Sequence, residues 1–270
     1  MSVADLAIIV IWIGLTAYVV LAGADFGGGW WDMLAGKGER GRAIRDLIDR
    51  SMAPVWEANH VWLIFVLTVT WTAYPAAFGS IASTLAVPLL LAGLGIIVRG
   101  AAYALRTAAS RELHLRAIDV ASAVASVVTP FALGAAVGGI ASGRVPLGNA
   151  AGEAIGSWLN PTSVVVGVLA VATSAYLAAV WLTADAARAG RDDLVEAFRV
   201  RALATGAIAG ALALAGLLVL RSDAERIYHG VTSGSGLVAV LASAAAGAAT
   251  MLLIARRRLE PARWSAAVAV

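Results

Sequence analysis

Long apolar runs alternate with short polar segments along the whole chain. Seven of these runs are long enough to cross a bilayer, which takes about 20 apolar residues per helix. The predicted spans cover residues 6–31, 55–74, 78–104, 117–141, 161–184, 200–220 and 236–255. Because hydrocarbon offers the backbone no hydrogen-bond partners, each span should be a helix. The pattern therefore predicts an all-α fold, a polytopic membrane helix bundle that forms one membrane domain.

The end of the chain predicts a further, incomplete helix. Three arginines at 256–258 are followed by Pro261 and then by an apolar stretch up to Val270. This stretch has room for about two helical turns. We therefore expect seven spans plus the start of an eighth.

Composition supports the membrane assignment and narrows the chemistry. Hydrophobic residues make up 60% of the 270 residues, and charged residues only 14%. A soluble domain averages about a quarter charged residues. There is no cysteine, which excludes disulfides, iron–sulfur clusters and thiolate zinc sites.

The basic residues are distributed unequally between the two ends of the predicted spans. Sixteen of the 20 fall in segments after the first, third, fifth and seventh spans, and only Arg144, Arg221 and Arg226 fall on the other side. Basic loops stay in the cytoplasm, so the N-terminus is predicted to lie outside. Since the positive charge sits in short loops, we read it as an orientation signal and expect no nucleic-acid partner.

Three ionisable residues lie inside predicted spans. Asp25 is in the inner third of the first span, Glu57 near the inner start of the second, and Arg99 near the inner end of the third. A charge at a helix centre costs about 2.5–3.5 kcal/mol on insertion scales, so such groups usually face the bundle interior. Their similar depth predicts that the three side chains form one network. Asp32, near a helix end, is expected to be solvated.

The expected network has two interpretations. The carboxylate that pairs with Arg99 should stay ionised, while the other one could load and release protons. A structural interpretation is a buried ion pair that fixes how the helices pack, and Glu57 could instead be an acid favoured by the helix dipole. We favour proton handling, because ionisable groups in membrane helices are usually functional.

Two polar residues follow Glu57 on the same span. Asn59 is expected to hydrogen-bond between helices. His60 is the only histidine inside a predicted span, since His114 and His229 fall in loops on opposite sides. A haem held by two facing imidazoles would need a second histidine at its depth. We therefore expect His60 to pack or to bind water rather than to ligate haem.

Five stretches resemble subunit II of cytochrome bd-type quinol oxidases. They are LAGADFGGG at 21–29, PVWEANHVW at 54–62, YPAAFGS at 74–80, VRGAAYALR at 98–106 and WLNPTSVVVG at 158–167. The similarity runs in order over essentially the whole chain. Its most specific part is the tryptophan–acid–x–Asn–x–Val–Trp stretch with the Arg-Gly pair downstream.

The resemblance implies a fold, a partner and a reaction. Members of this family have eight helices in two four-helix groups, which here correspond to residues 1–141 and 142–270. They lie beside subunit I in the bacterial plasma membrane, and that subunit carries haem b, haem d and the quinol site. The complex takes electrons from quinol and reduces O2 to water. This chain is then expected to hold no tightly bound cofactor, no metal and no catalytic residue, and the resemblance leaves open whether a quinone binds here.

The resemblance also implies roles for individual residues. Asp25 and Glu57 would line a proton path from the cytoplasm towards the partner's haems, and Arg99 would hold the acids in place. Trp56 and Asn59 belong to the same motif, next to His60, and would shape that region.

The chain departs from the family at two positions. Many members carry an acid where this sequence has Ala22 and Ala104. The motifs therefore define only part of a proton route.

The alternative function is a proton-coupled membrane transporter or a scaffold subunit of another respiratory complex. Transporters often carry paired helix breaks in corresponding positions of two halves. Pro88 and Pro130 fall inside the third and fourth predicted spans, where we expect kinks, but spans five to seven contain no matching proline. This asymmetry argues against a transporter.

Overall fold

A computed structural model describes residues 2–108 and 112–270, with side chains outside 106–116. Among these residues there are helices and no strands. The helices are α1 Val3–Met33, α2 Gly38–Ala73, α3 Pro75–Thr84, α4 Ala86–Ala108, α5 Glu112–Ala141, α6 Pro161–Arg188, α7 Asp192–Asp223, α8 Glu225–Thr232, α9 Gly234–Ala255 and α10 Leu259–Ala269. Seven are long and apolar enough to cross a membrane, which confirms the all-α multi-pass fold. Of the basic positions counted above, Arg111 lies outside the described residues.

Helix α2 is much longer than the predicted second span. It has 36 residues, so the arginine-rich segment expected to be a loop is its first half. Buried residues at Ile44, Leu47, Ile48 and Met52 follow the three- and four-residue spacing of an amphipathic helix. The other face of this segment is charged, so the segment as a whole is not apolar enough to be predicted as part of a membrane span.

The predicted third span is wrong at its start. Instead of one helix over 78–104, the chain forms α3 and α4 with a break at Leu85. Pro88 explains the break, because it has no N–H to donate to the carbonyl of Thr84 four residues earlier. Pro88 therefore lies in the first turn of α4 and does not kink a longer helix. Pro130, by contrast, lies inside α5 as expected.

Helices α1 and α6 form the centre of the bundle. Helix α1 packs against α2, α5 and α6. The segment from Ala175 to Leu182 of α6 is buried throughout, and the indole nitrogen of Trp31 donates a 2.8 Å hydrogen bond to the carbonyl of Ala175. At Gly27 the two helices approach so closely that a β-carbon would collide with the backbone carbonyl of Ser174.

Helix α10 is the predicted start of an eighth helix. It packs against α6 and α9. Ala262 and Ala266 are fully buried, which fixes one face of this short helix against the bundle.

An ion pair joins three helix ends at the end of the bundle opposite the arginine-rich segments. Arg144, which follows α5, binds Asp223 at the end of α7 through two hydrogen bonds of 2.7 and 3.1 Å. Asp223 also accepts hydrogen bonds from the backbone N–H (3.1 Å) and hydroxyl (2.6 Å) of Thr162 at the start of α6. In the sequence, Arg144 serves only to indicate the orientation of the helices in the membrane. Its pairing with Asp223 was not predicted.

Candidate functional site

Asp25 of α1 and Arg99 of α4 form a buried ion pair, as their similar depths predict. Asp25 is 0% and Arg99 3% exposed. The Nη2 and Nε atoms of Arg99 lie 2.6 and 3.0 Å from Oδ1 of Asp25. Nη2 also donates to the backbone carbonyl of Asp25, at 2.6 Å. The pair is therefore fixed by three contacts from one guanidinium.

Three further side chains complete the surroundings of this pair. The Nη1 atom of Arg99 donates to Ser126 Oγ at 3.0 Å and to Ser122 Oγ at 3.3 Å. The hydroxyl of Tyr103 donates to Oδ1 of Asp25 at 3.1 Å. None of these three residues was among the predicted site members. The available signals were spacings of four residues, between Arg99 and Tyr103 and between the two serines, which place each pair on one helix face.

Local packing leaves room for the guanidinium. A β-carbon at Gly29 would collide with both Ser126 and Arg99, so glycine permits this approach. The guanidinium carbon lies 5.6 Å from the ring centroid of Phe26 and 5.3 Å from that of Tyr103. Aromatic faces at this distance attract a cation. The cation is thus held by α1, α4 and α5 together.

The motif on α2 reaches the pair through Asn59. Asn59 is buried, and its Nδ2 donates a long 3.4 Å hydrogen bond to Oδ2 of Asp25. The ring of Trp56 lies 5.5 Å from that of Tyr103 and packs over Gly100. These contacts join α2 to α4 beside the ion pair.

Glu57 lies apart from the other two charged residues. Its side chain is exposed on the surface of this chain, and within the described part of the protein it makes no ion pair or hydrogen bond. The reason is helix geometry: positions two apart point about 200° away from each other, so a buried Asn59 turns Glu57 outward. The structure therefore brings together Asp25, Arg99 and Asn59, and places Glu57 on the opposite side of α2.

His60 has a local contact that fits a packing role. Its Nδ1 atom lies 2.7 Å from the backbone carbonyl of Trp56, and the two rings are 5.0 Å apart. Among the described residues no group of three His, Cys, Asp or Glu side chains is arranged to hold a metal ion. The side chain of His114 lies outside the described part.

A small polar cavity extends from the ion pair towards the arginine-rich end. It has about 10 Å³ of space, roughly one water molecule. Its lining includes Asp32, Asp49, Arg99, Tyr103 and Ser122. The expectation that Asp32 is solvated is wrong: its side chain is 12% exposed and lies 3.3 Å from the guanidinium of Arg45. Polar groups therefore continue from Asp25 towards this end of the bundle.

Comparison with known proteins gives a consistent result. The family described as cytochrome bd terminal oxidase subunit II matches residues 3–270. A protein of Bacillus subtilis (strain 168) named putative cytochrome bd menaquinol oxidase subunit II is 25% identical over 227 residues, which are 84% of this chain and 65% of that protein. Cytochrome bd ubiquinol oxidase subunit 2 of the same organism is 26% identical over 133 residues, 49% of this chain and 38% of that protein.

The fold is similar to a chain in a solved structure. It matches a chain of the bd oxidase from Geobacillus thermodenitrificans with a TM-score of 0.76 and 23% identity, covering 100% of this chain and 81% of that one. At this identity the likeness concerns the fold. The chain spans less than two thirds of the length of the two curated relatives.

Proposed function

Since this chain belongs to the cytochrome bd terminal oxidase subunit II family, we propose that it is the haem-free subunit II of a membrane quinol:oxygen oxidoreductase. Its partner is a subunit I that carries haem b, haem d and the quinol site, and the complex reduces O2 to water. The names of the two Bacillus relatives, a menaquinol and a ubiquinol oxidase subunit, support this reaction class. This chain supports the partner and contributes to proton uptake.

The buried Asp25–Arg99 pair is the observation that carries the proton-uptake proposal. It lies within membrane-spanning helices, and a water-sized polar cavity beside it extends towards the arginine-rich end. Four protons are consumed for each O2 reduced to water, so the complex needs a polar route through hydrocarbon. Charged groups inside membrane helices commonly mark such routes.

The two acids have different roles in this proposal. Asp25 is held by three contacts from Arg99 and acts as its fixed counter-ion. Glu57 has no cationic partner among the described residues, and its side chain lies on the outer surface of α2. An acid on an otherwise apolar helix surface needs a polar surface against it. The partner subunit supplies that surface, and Glu57 passes protons to it.

The unequal distribution of arginines supports the direction of uptake. Basic segments mark the cytoplasmic side, which puts the N-terminus outside and the polar cavity on the cytoplasmic side. Protons taken from the cytoplasm make the reaction generate a membrane potential.

The test replaces Glu57 with Gln in the complex purified with its partner subunit. Oxygen uptake with a quinol substrate should fall by about 10²-fold or more, since a positioned proton-transfer group contributes roughly that factor. The haem absorption spectrum and the yield of assembled complex should stay unchanged, because glutamine keeps the size and polarity of the side chain and Glu57 makes no ion pair or hydrogen bond among the described residues.

A matched control is Glu153→Gln, an exposed glutamate outside the predicted spans. It should turn over like the unmodified complex. Unchanged oxygen uptake in Glu57→Gln would remove this residue from the proton path. Haem bound tightly by this chain alone would contradict its assignment as the haem-free subunit.

A further inference from the structure

A second, much larger cavity opens at the arginine-rich end, away from the Asp25–Arg99 pair. It has a volume of about 700 Å³ and lies between α1, α2, α6, the start of α7 and α10. Its inner wall is apolar and includes Leu21 of α1, Val55 and Ala58 of α2, and Trp181 of α6. The proton route proposed above uses none of these residues.

The outer rim of this cavity is mainly cationic. Four arginines line it, Arg50, Arg188, Arg191 and Arg263, against two acids, Asp46 and Asp185.

The four arginines are not equally available. Arg263 stacks on the ring of Trp181 at 4.2 Å and binds Asp185 at 3.0 Å, which fixes it in the wall. Arg188 binds Asp185 and Glu260, and Arg191 binds Asp193.

Arg50 is the available cation of the rim. It is exposed, and it has no ion-pair partner in the part of the chain that the structure describes. Exposed pairs such as Arg191–Asp193 contribute little stability, and a guanidinium has five N–H donors. Arg50 and the remaining N–H donors of Arg191 are therefore open to an additional anion at the rim.

We propose that this cavity binds an anionic phospholipid. The phosphate lies at Arg50 and Arg191, and an acyl chain follows the apolar wall formed by Leu21, Val55 and Ala58. The cationic rim of the cavity matches the anionic headgroup of this ligand, and the apolar inner wall matches its acyl chain. A free phosphate ion would leave the apolar wall unused, and a neutral lipid or quinone would leave the arginines unused. The cavity lies at the arginine-rich end of the membrane-spanning helices, which is the level at which lipid headgroups are expected.

The experiment measures lipid retained by the intact complex. The complex, purified with its partner subunit and stripped of lipid in detergent, is incubated with phosphatidylglycerol or phosphatidylcholine and examined by native mass spectrometry. Phosphatidylglycerol should be retained preferentially. The Arg50→Gln variant should retain it about fivefold less strongly, since one arginine near a lipid surface contributes about 1 kcal/mol.

Two further variants make the result specific. Arg42→Gln removes an exposed arginine about two turns earlier on α2 that does not line the cavity, and it should bind lipid normally. Ala58→Phe fills the inner part of the cavity and should also weaken phosphatidylglycerol retention, without removing any charge. Inorganic phosphate should not displace the lipid.

Several results would overturn the proposal. Equal retention of the two lipids, or an equal loss in Arg42→Gln, would mean that the cavity does not recognise an anionic headgroup. Displacement by inorganic phosphate would indicate a site for phosphate alone. A quinone retained in place of phospholipid would identify a different ligand. The measurement does not use oxygen uptake, so its outcome is independent of the proposed function.

Discussion

Two arginine–aspartate pairs lie near opposite ends of this bundle, and they differ in burial. The side chains of Arg99 and Asp25 are 4% and 0% exposed, whereas those of Arg144 and Asp223 are 32% and 15% exposed. The first pair is enclosed by side chains of α1, α2, α4 and α5. The second joins the ends of α5, α6 and α7 and remains within reach of water.

This difference in burial gives the two arginine–aspartate pairs different roles. At Arg144, water can replace a lost partner, so the pair mainly ties helix ends together. At Arg99 the only space nearby is a cavity of about one water molecule, so a lost partner leaves a charge buried in the interior. The buried pair is therefore costly to disturb and suited to holding a fixed charge along the proposed proton path.

Removing the cation from the buried pair should have the largest effect. Arg99→Met leaves the buried Asp25 carboxylate with its bonds from Tyr103 and Asn59 but without a cationic partner, which should cost about 3–5 kcal/mol of unfolding free energy. The measurement is the reversible unfolding of the complex in mixed micelles. The double variant Asp25→Leu with Arg99→Met removes both charges and should recover most of this loss. Wild-type stability in the single variant would contradict the assigned burial.

Removing the acid from the half-buried Arg144–Asp223 pair should have an intermediate effect. Asp223→Ala deletes the acceptor for Arg144 and for the backbone N–H of Thr162, and it should cost about 1–2 kcal/mol, as for loss of a helix cap. The same unfolding assay measures it. Arg144→Gln should cost less, because the bonds from Thr162 remain. A loss as large as that of Arg99→Met would mean that burial does not distinguish the two pairs.

The smallest effect is expected from a single hydroxyl beside Arg99. Ser122→Ala removes a 3.3 Å hydrogen bond while Ser126 still accepts from the same nitrogen at 3.0 Å. The expected loss is about 0.5–1.5 kcal/mol. Ser222→Ala, an exposed serine, serves as the control and should change stability by less than about 0.5 kcal/mol. Equal losses in the two variants would argue against a bond to Arg99.

Hydropathy alone predicts the seven spans because lipid requires long apolar helices with internal backbone hydrogen bonds. It fails where a helix leaves the membrane or stops within it. The first half of α2 is charged on one face, so hydropathy places its arginines in a loop. The break before α4 depends on the missing N–H of Pro88, which leaves the hydrophobicity pattern unchanged.

The candidate site was predictable only in part. The contact between Asp25 and Arg99 follows from depth, because oppositely charged side chains at the same depth inside a membrane bundle usually pair with each other. Tyr103 and Ser126 could not be assigned in the same way, since polar residues that hydrogen-bond in membranes need not be charged. Glu57 shows that equal depth does not fix the direction in which a side chain points.

The close contact between Gly27 and Ser174 has a mechanical consequence. It lies where the first half of the chain meets the second, and it leaves no space for even one methyl group. Alternating access requires two such halves to rock against each other, and a tightly packed junction resists gradual sliding. We expect the bundle to serve as a stiff frame, in which the proposed proton transfer runs between stationary groups while the halves stay in place.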